Sequence, residues 1–333
     1  MRTELIIGET AFTDLAGEWD QLAAKGFTAT PFQTLAYQRA WWTHLGPEGA
    51  ILLTVITRND DDELIGIGCF YSVGGLLHFN GCVEETDYLD LIASNDHAER
   101  VWQATWECLQ RSDVPQWTTL ELCNIPADSP TRSILPALAQ KYSISIQEEI
   151  MEVCPIISLP KSMDAYLESL DSKQRRELNR KLRRAEAAGI ETIIVEEPHD
   201  IDVEVDNFLD LLQKSTYEKR DWLNAGRRAL FHEVGRAALE AGTLQLMFTT
   251  LEGQRAAALF NFDYRDRIWV YNSGLDPAAF SALSPGVIIT AEAIAQAINL
   301  GRREFDFMRG DEEYKYRFGA TDTKIYRLRI ERA

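Results

Sequence analysis

The chain has few of the features that mark metalloproteins or disulfide-stapled secreted proteins. Its five cysteines are widely spaced without a Cys-x-x-Cys pair, and its five histidines show no metal-ligand spacing. The sequence therefore predicts neither a metal site nor a disulfide framework. We expect the cysteines to be buried, reduced thiols of a cytoplasmic protein.

Long apolar runs and an excess of positive charge are also missing. No uncharged apolar stretch reaches the roughly 18 residues that a membrane-spanning helix needs. The first residues, MRTELIIGETAF, lack the apolar core of a signal peptide. A net charge of -18 disfavours the chain as a whole as a non-specific binder of nucleic acid or membrane surfaces, because polyanions repel it. A local basic site is still compatible with this charge.

The order of predicted elements repeats along the 333 residues. The first half reads as three strands, a helix and a strand: 50–58, 63–73, 76–81, 96–112 and 117–125. The second half reads in the same order: 243–251, 255–264, 267–275, 284–301 and 303–308. The repeat predicts two similar α/β domains in tandem, 1–155 and 156–333. We expect each to be a mixed, mostly antiparallel sheet flanked by helices.

The predicted helix of the second half begins at Ser284-Pro285-Gly286. Serine can cap a helix, proline suits its first position, and Gly286 leaves the first turn without a side chain. Backbone N–H groups near Ser284, Gly286, Val287 and Ile288 could therefore hold phosphates at the positive end of the helix. The alternative is an ordinary N-cap. The matching helix of the first half, NDHAERVW, lacks the Pro-Gly pair, so we expect a phosphate-bearing cofactor only in the second half.

A basic helix is predicted over 171–189. Between 171 and 184 it carries seven basic residues against two acidic ones. Its two faces are Arg176, Arg180 and Arg183 on one side and Leu178, Leu182 and Ala185 on the other. This is either a solvated amphipathic helix or an anion-binding site.

The segment 305–319, FDFMRGDEEYKYRFG, ends a strand with charges and aromatic residues. Asp306 could accept a proton from an amine, and Tyr314 or Tyr316 could protonate a leaving thiolate. Arg309 and Lys315 could hold a carboxylate or phosphate, with Asp311 bracing them. The alternative is an internal ion-pair network that braces a loop.

Four segments together resemble the CelD-like acetyltransferases of the GNAT superfamily. They are the FDFMRGDEEYKYRFG segment, SKQRRELNRKLRRAE, LSPGVIITAEAI and PFQTLAYQRAWW. The resemblance covers most of the chain and is strongest from about 165 to 320. Fold relatives include the FemAB-type aminoacyl transferases, which also use two tandem GNAT-like domains.

The resemblance implies two tandem GNAT-like domains, of which the first is degenerate for cofactor binding. It implies an acyl-CoA donor, with acetyl-CoA expected, or else an acyl carrier, and direct transfer to an amine or hydroxyl of a small-molecule, glycan or peptide acceptor. Arg176 and Arg180 would bind substrate. Ser284-Pro285-Gly286 stands where ordinary acetyltransferases have R/Q-x-x-G-x-G/A. Two alternatives stay open: an aminoacyl transferase that uses charged tRNA, with the arginines on phosphates, and a non-enzymatic binding module.

Overall fold

A computed structural model describes residues 1–82, 85–142, 144–197 and 199–332. The chain forms two compact units, one made of Met1–Val153 with Lys324–Ala333 and the other of Cys154–Thr323. The predicted second domain ran to the C-terminus, and this end is wrong. The last strand returns to the first unit because it pairs with a strand there, from Ile325 opposite Pro126 to Glu331 opposite Thr119.

The first unit contains a sheet of short strands and five helices within its described part. Its strands are β1 (Arg2–Ile7), β2 (Ile51–Arg58), β3 (Leu64–Val73), β4 (Leu76–Phe79), β5 (Ile92–Ala93) and β6 (Thr119–Pro126). Its helices are α1 (Thr10–Asp14), α2 (Trp19–Ala23), α3 (Leu35–Leu45), α4 (Ala98–Leu109) and α5 (Thr131–Lys141). Neighbouring strands run antiparallel, except that β4 and β6 are parallel.

Cys82 and Cys123 form a disulfide within the first unit, which corrects the prediction of reduced thiols throughout. Their wide separation in sequence hid the pairing. The sheet brings their Cα atoms to 6.1 Å, within the range that a disulfide can bridge. Cys69, Cys108 and Cys154 are free and buried, as expected.

The second unit contains the strands and helices that carry the predicted site. Two strands are shared with the first unit: β7 (Ile146–Ser158) and β13 (Thr321–Glu331). The other strands are β8 (Glu191–Ile194), β9 (Leu244–Leu251), β10 (Gln254–Tyr264), β11 (Arg267–Leu275) and β12 (Glu304–Asp306). The helices are α6 (Met163–Ser169), α7 (Ser172–Ala188), α8 (Ile201–Ser215), α9 (Tyr217–Trp222), α10 (Ala225–Glu240), α11 (Pro285–Asn299) and α12 (Glu313–Arg317).

The sheet of the second unit lies between two layers of helices. Its order is β7-β12-β11-β10-β9-β8, and only β11 and β12 pair in parallel. Because successive side chains of a strand point to opposite faces, Phe260 packs on Phe208 of α8 and Phe231 of α10, while Leu259 joins a core with Leu178 of α7 and Ile289 of α11. Each unit is thus a mixed, mostly antiparallel sheet flanked by helices, as predicted.

The described part of the chain contains no helix that combines the length and the apolar character needed to cross a bilayer.

Candidate functional site

The two parallel strands of the second unit separate at Asp306. Pairing of β11 with β12 covers three residue pairs and ends at Trp269 opposite Asp306, while β11 continues to Leu275. Just beyond this pair, a β-bulge interrupts the pairing of β11 with β10, where the register shifts between Phe260 and Asn261. The end of β11 therefore borders an opening in the sheet.

An apolar cleft of about 470 Å³ occupies this opening. Its walls include the end of β11 (273–275), the start of α11 (284–287) and the side chain of Tyr314. Among the predicted cofactor residues, Ser284, Gly286 and Val287 line the cleft, whereas Ile288 is buried and does not. A cleft of this size is within the range of ligand-binding pockets.

The start of α11 differs from the expected serine cap. Ser284 adopts a left-handed backbone (φ 57°), and its side chain makes no capping hydrogen bond. Its carbonyl instead accepts from Val287 N at 2.9 Å and Ile288 N at 3.2 Å, while its own N–H donates to Ser281 O at 3.0 Å. Three of the four predicted phosphate-binding amides are thus committed inside the turn. Gly286 N–H has no such partner among the described residues.

A basic cleft of about 560 Å³ lies beside the apolar one. Its charged lining comes from α7 and α12: Lys173, Arg176, Glu177, Arg180, Lys181, Glu313 and Arg317. The cations outnumber the carboxylates by five to two, so the cleft is positive in a chain with a net charge of -18. Helix α7 itself begins at the N-cap Asp171 and ends at Gly189, as the sequence predicted.

The two arginines predicted to bind substrate differ in how they are held. Arg180 forms a two-pronged ion pair with Glu177, at 2.9 and 2.8 Å, and Lys181 lies 3.8 Å from the same carboxylate. No carboxylate of the described residues pairs with Arg176 or Lys173. These two cations are the ones available to an anionic ligand.

Tyr314 and Val287 line both clefts. The ring of Tyr314 packs edge-on against Phe307, with centroids 5.9 Å apart. Burial and the nearby Glu312 carboxylate raise the pKa of Tyr314, so its phenol stays protonated at neutral pH. Tyr316 lines neither cleft, and its hydroxyl donates to Asp322 Oδ1 at 2.8 Å. That hydrogen bond contributes most to raising the pKa of Tyr316 to about 12.

Lys315 braces the exit loop, which we define as residues 307–312. Its side chain is almost fully buried, at 2% exposure. Its Nζ donates to the carbonyls of Met308, Arg309 and Gly310 at 3.3, 2.6 and 3.0 Å and pairs with Glu312 at 2.9 Å. The ammonium therefore holds the loop and does not face an acceptor.

The bracing carboxylate of this loop is Glu312, where the sequence suggested Asp311. Asp311 is exposed, and Arg309 is half-buried. Gly310 has a φ of 106°, and a Cβ there would lie 2.5 Å from Glu312 Oε2. Only glycine fits this turn without displacing the carboxylate that binds Lys315.

Asp306 lies at the end of β12 with no exposed surface. Its Oδ1 accepts from Met308 N at 2.8 Å, and its Oδ2 is 3.6 Å from Arg267 Nη1. Arg267 of β11 also pairs with Glu304, which lies on β12 together with Asp306. Asp306 lines neither of the two clefts. In this position the carboxylate fixes the start of the exit loop.

Lys219 on the short helix α9 was missed by sequence reasoning. Its Nζ reaches the end of β11, within 2.6 Å of Ser273 O, 3.1 Å of Asn272 Oδ1 and 3.3 Å of Ser273 Oγ. Burial lowers the pKa of Lys219 to about 8. No local motif marks the residue, since its partners follow more than 50 positions later and only the fold brings them together.

The part of the chain that contains both clefts is similar to a known protein family. Residues 172–316, which include the predicted site residues, match the family model described as an acetyltransferase (GNAT) domain. The protein is an acyltransferase. Its fold, two tandem GNAT-like domains, is confirmed by solved structures, although no curated protein matched by sequence.

The acyltransferase is similar over nearly its whole length to FemX and to a tandem GNAT protein. The FemX structure has a TM-score of 0.70 at 11% identity and covers 97% of this chain and 96% of its own. The tandem GNAT protein from the clavulanic acid biosynthesis pathway has a TM-score of 0.50 at 11% identity, with 98% of each chain covered. L-PGS from Bacillus licheniformis has a TM-score of 0.56 at 11% identity and covers 87% of this chain and 90% of its own. At these identities the likeness concerns the fold.

Proposed function

We propose that the second unit transfers an acetyl group from acetyl-CoA directly to an amine or hydroxyl of a small-molecule, glycan or peptide acceptor. The observation that carries this proposal is the pair of adjoining clefts, one apolar and one basic, which share Val287 and Tyr314. Acetyl-CoA also has two parts, an uncharged pantetheine arm that carries the thioester and a phosphate-rich nucleotide. The four segments quoted above support a place among the CelD-like enzymes.

The donor would lie with its uncharged pantetheine arm against β11 and its phosphates toward the cations. Gly286 N–H has no partner among the described residues, and Arg176 and Lys173 are the cations of the basic cleft for which those residues supply no carboxylate. A helix start and unpaired cations both favour phosphate. Ser284 and Val287 line the wall of the apolar cleft against which the donor would lie.

Tyr314 is the proposed proton donor to the leaving thiolate. Its protonated phenol lines the apolar cleft, which would hold the arm that carries the thioester. Asp306 and Lys315 are proposed to act as positioning residues, because each is buried and holds the exit loop. Arg309 and Asp311 are proposed acceptor contacts on that loop. Tyr316 has no proposed part in the reaction.

The alternative donor is a charged tRNA, and the basic cleft is the observation that favours it. Backbone phosphates of RNA would meet Arg176 and Lys173 as readily as the phosphates of CoA. The apolar cleft favours CoA, since an aminoacyl ester at the end of a tRNA brings no long uncharged arm like pantetheine to fill it.

Acetyl-CoA is expected to raise the melting temperature of the protein, and deacylated tRNA is not. Ligand at 100 times its Kd stabilises a folded protein by about 2.7 kcal/mol. The measurement is thermal unfolding with acetyl-CoA, with CoA, with tRNA and with buffer alone. Stabilisation by tRNA without stabilisation by acetyl-CoA would replace the proposed donor with the alternative. No stabilisation by either would contradict both.

Gly286→Glu is expected to weaken acetyl-CoA binding about tenfold or more, roughly 1.4 kcal/mol, because it places a carboxylate among donor phosphates. The matched control is Gly286→Ala. A Cβ at this position would meet only Leu275 Cδ1, at 3.8 Å, so the alanine fits without strain. Calorimetric titration of both variants separates charge from bulk. Equal donor affinity in the folded glutamate variant and the wild type would rule out this phosphate site.

A further inference from the structure

The end of β11 carries a side-chain pair that the reaction described above leaves unused. Ser273 lines the apolar cleft, and Lys219 Nζ lies 3.3 Å from its hydroxyl. The same Nζ is held by two further oxygens, Ser273 O and Asn272 Oδ1. Lys219 itself is half-buried and does not line the cleft. A basic side chain is thus connected to the cleft through one hydroxyl group.

We propose that Lys219 is the base of the transfer reaction and removes the proton of the acceptor through the hydroxyl of Ser273. This role rests on the proposed function of the cleft. In this role Ser273 contacts the acceptor, and Lys219 receives the proton from the Ser273 hydroxyl. The carboxylate of Asp306 is then not needed as a base.

The surroundings of Lys219 Nζ suit a neutral amine. A neutral amine has two N–H donors and one lone pair. Two of the three neighbouring oxygens, Ser273 O and Asn272 Oδ1, can only accept, whereas the hydroxyl of Ser273 can also donate. The neutral amine satisfies all three by donating twice and accepting once. The ammonium satisfies them by donating three times, so protonation needs no movement of heavy atoms.

The charges around Lys219 keep its pKa within reach of neutral pH. The pKa of Lys219 is lowered to about 8 by the balance of three influences: burial lowers it most, the Glu312 carboxylate raises it, and the Lys315 ammonium lowers it. Charged neighbours on α9 are Glu218, Arg220 and Asp221, and Arg220 lies 3.9 Å from Asp221. On α8, which packs against α9, Lys214 is 3.6 Å from Asp276. A base whose pKa lies near the working pH is the most effective one.

The proton balance of the step is complete. The acceptor nitrogen or oxygen forms a bond to the thioester carbon and passes its proton to Ser273 Oγ. The hydroxyl of Ser273 passes its own proton to neutral Lys219. The carbon–sulfur bond breaks, its electron pair stays on sulfur, and Tyr314 protonates the thiolate. Lys219 then loses a proton to solvent and Tyr314 regains one, so no external acid or base is consumed.

The test measures thiol release from acetyl-CoA with ethanolamine, which carries both an amine and a hydroxyl, and with water alone. Lys219→Gln is expected to lower kcat by about 10²- to 10⁴-fold with little change in the KM for acetyl-CoA. Ser273→Ala is expected to lower kcat by about 10²-fold or more, because the relay is broken. Lys161→Gln, a change of an exposed lysine in the same unit, is the control and is expected to keep full activity.

Lys219→Arg distinguishes the base from a structural cation. Arginine keeps the positive charge and the hydrogen-bond donors but cannot lose its proton in a protein. The proposed role therefore predicts that this variant folds and stays inactive, and a structural role predicts rescue. The kcat of the wild type should rise with pH through about 8, because Lys219 accepts a proton only when it is neutral, and the Lys219→Gln profile should lack that rise.

An active Lys219→Arg or Ser273→Ala variant, or an unchanged pH profile in Lys219→Gln, would overturn the role of Lys219 while leaving the acyl transfer in place. A wild-type protein that neither binds acetyl-CoA nor releases thiol would contradict the proposed function itself.

Discussion

Replacing Lys315 with methionine is expected to lower the melting temperature of the protein by roughly 5–15 °C and to weaken acetyl-CoA binding. The change leaves the carbonyls of Met308, Arg309 and Gly310 without their shared donor and Glu312 without its cation. Loss of a buried charged donor of this kind costs about 2–4 kcal/mol. Each kcal/mol shifts the melting temperature of a domain of this size by about 2–4 °C.

Donor binding should fall with stability because the exit loop leads directly into α12. Tyr314 on that helix lines both clefts and neighbours Lys315 in sequence. Lys161→Met is the matched control: Lys161 is exposed, and its change is expected to alter stability by no more than about 0.5 kcal/mol. A Lys315→Met protein with wild-type melting temperature and acetyl-CoA affinity would show that the ammonium does not hold the loop.

Asp306→Ala is expected to destabilise the protein by about 2–3 kcal/mol and to lower turnover in parallel. The change removes the acceptor for Met308 N–H and the carboxylate opposite Arg267, both at the point where β11 and β12 separate. Charge-assisted hydrogen bonds of buried groups contribute about 1.5–3 kcal/mol. Arg267 is partly exposed and keeps Glu304 as a partner, which limits the loss. Thermal unfolding and thiol release are measured on the same samples.

Asp306→Asn separates a positioning carboxylate from a catalytic base. Asparagine keeps an oxygen for Met308 N–H but loses the charge, so a positioning role predicts a loss of turnover of less than about tenfold. A base predicts a loss of about 10²- to 10⁴-fold with normal stability. The double change with Arg267→Gln should cost less than the sum of the single changes, since the two residues are in contact. A stable, fully active Asp306→Ala protein would rule out both roles.

The helix α7 shows how far local sequence information reaches. Its N-cap Asp171, its end at Gly189 and its buried Leu178 and Ala185 follow from residue type and a period of 3.6, which depend on neighbours in sequence alone. The same information placed Arg176, Arg180 and Arg183 on one face, yet the structure lines the basic cleft with the first two only. A cleft needs a second wall, and α12 supplies it from a distant part of the chain.

Local sequence patterns were sufficient to predict the α/β architecture, the repeated order of elements and the two segments, 171–184 and 305–319, in which the charges of the site concentrate. Hydrophobic periodicity, helix caps and turn residues act over a few positions, so these features can be predicted without knowledge of the fold. The role of each individual group depended on long-range contacts that the sequence does not show. In the structure Lys315 is buried and holds the exit loop, Asp306 fixes the start of that loop, and Lys219 contacts Ser273. Burial of these groups depends on parts of the chain that are distant in sequence.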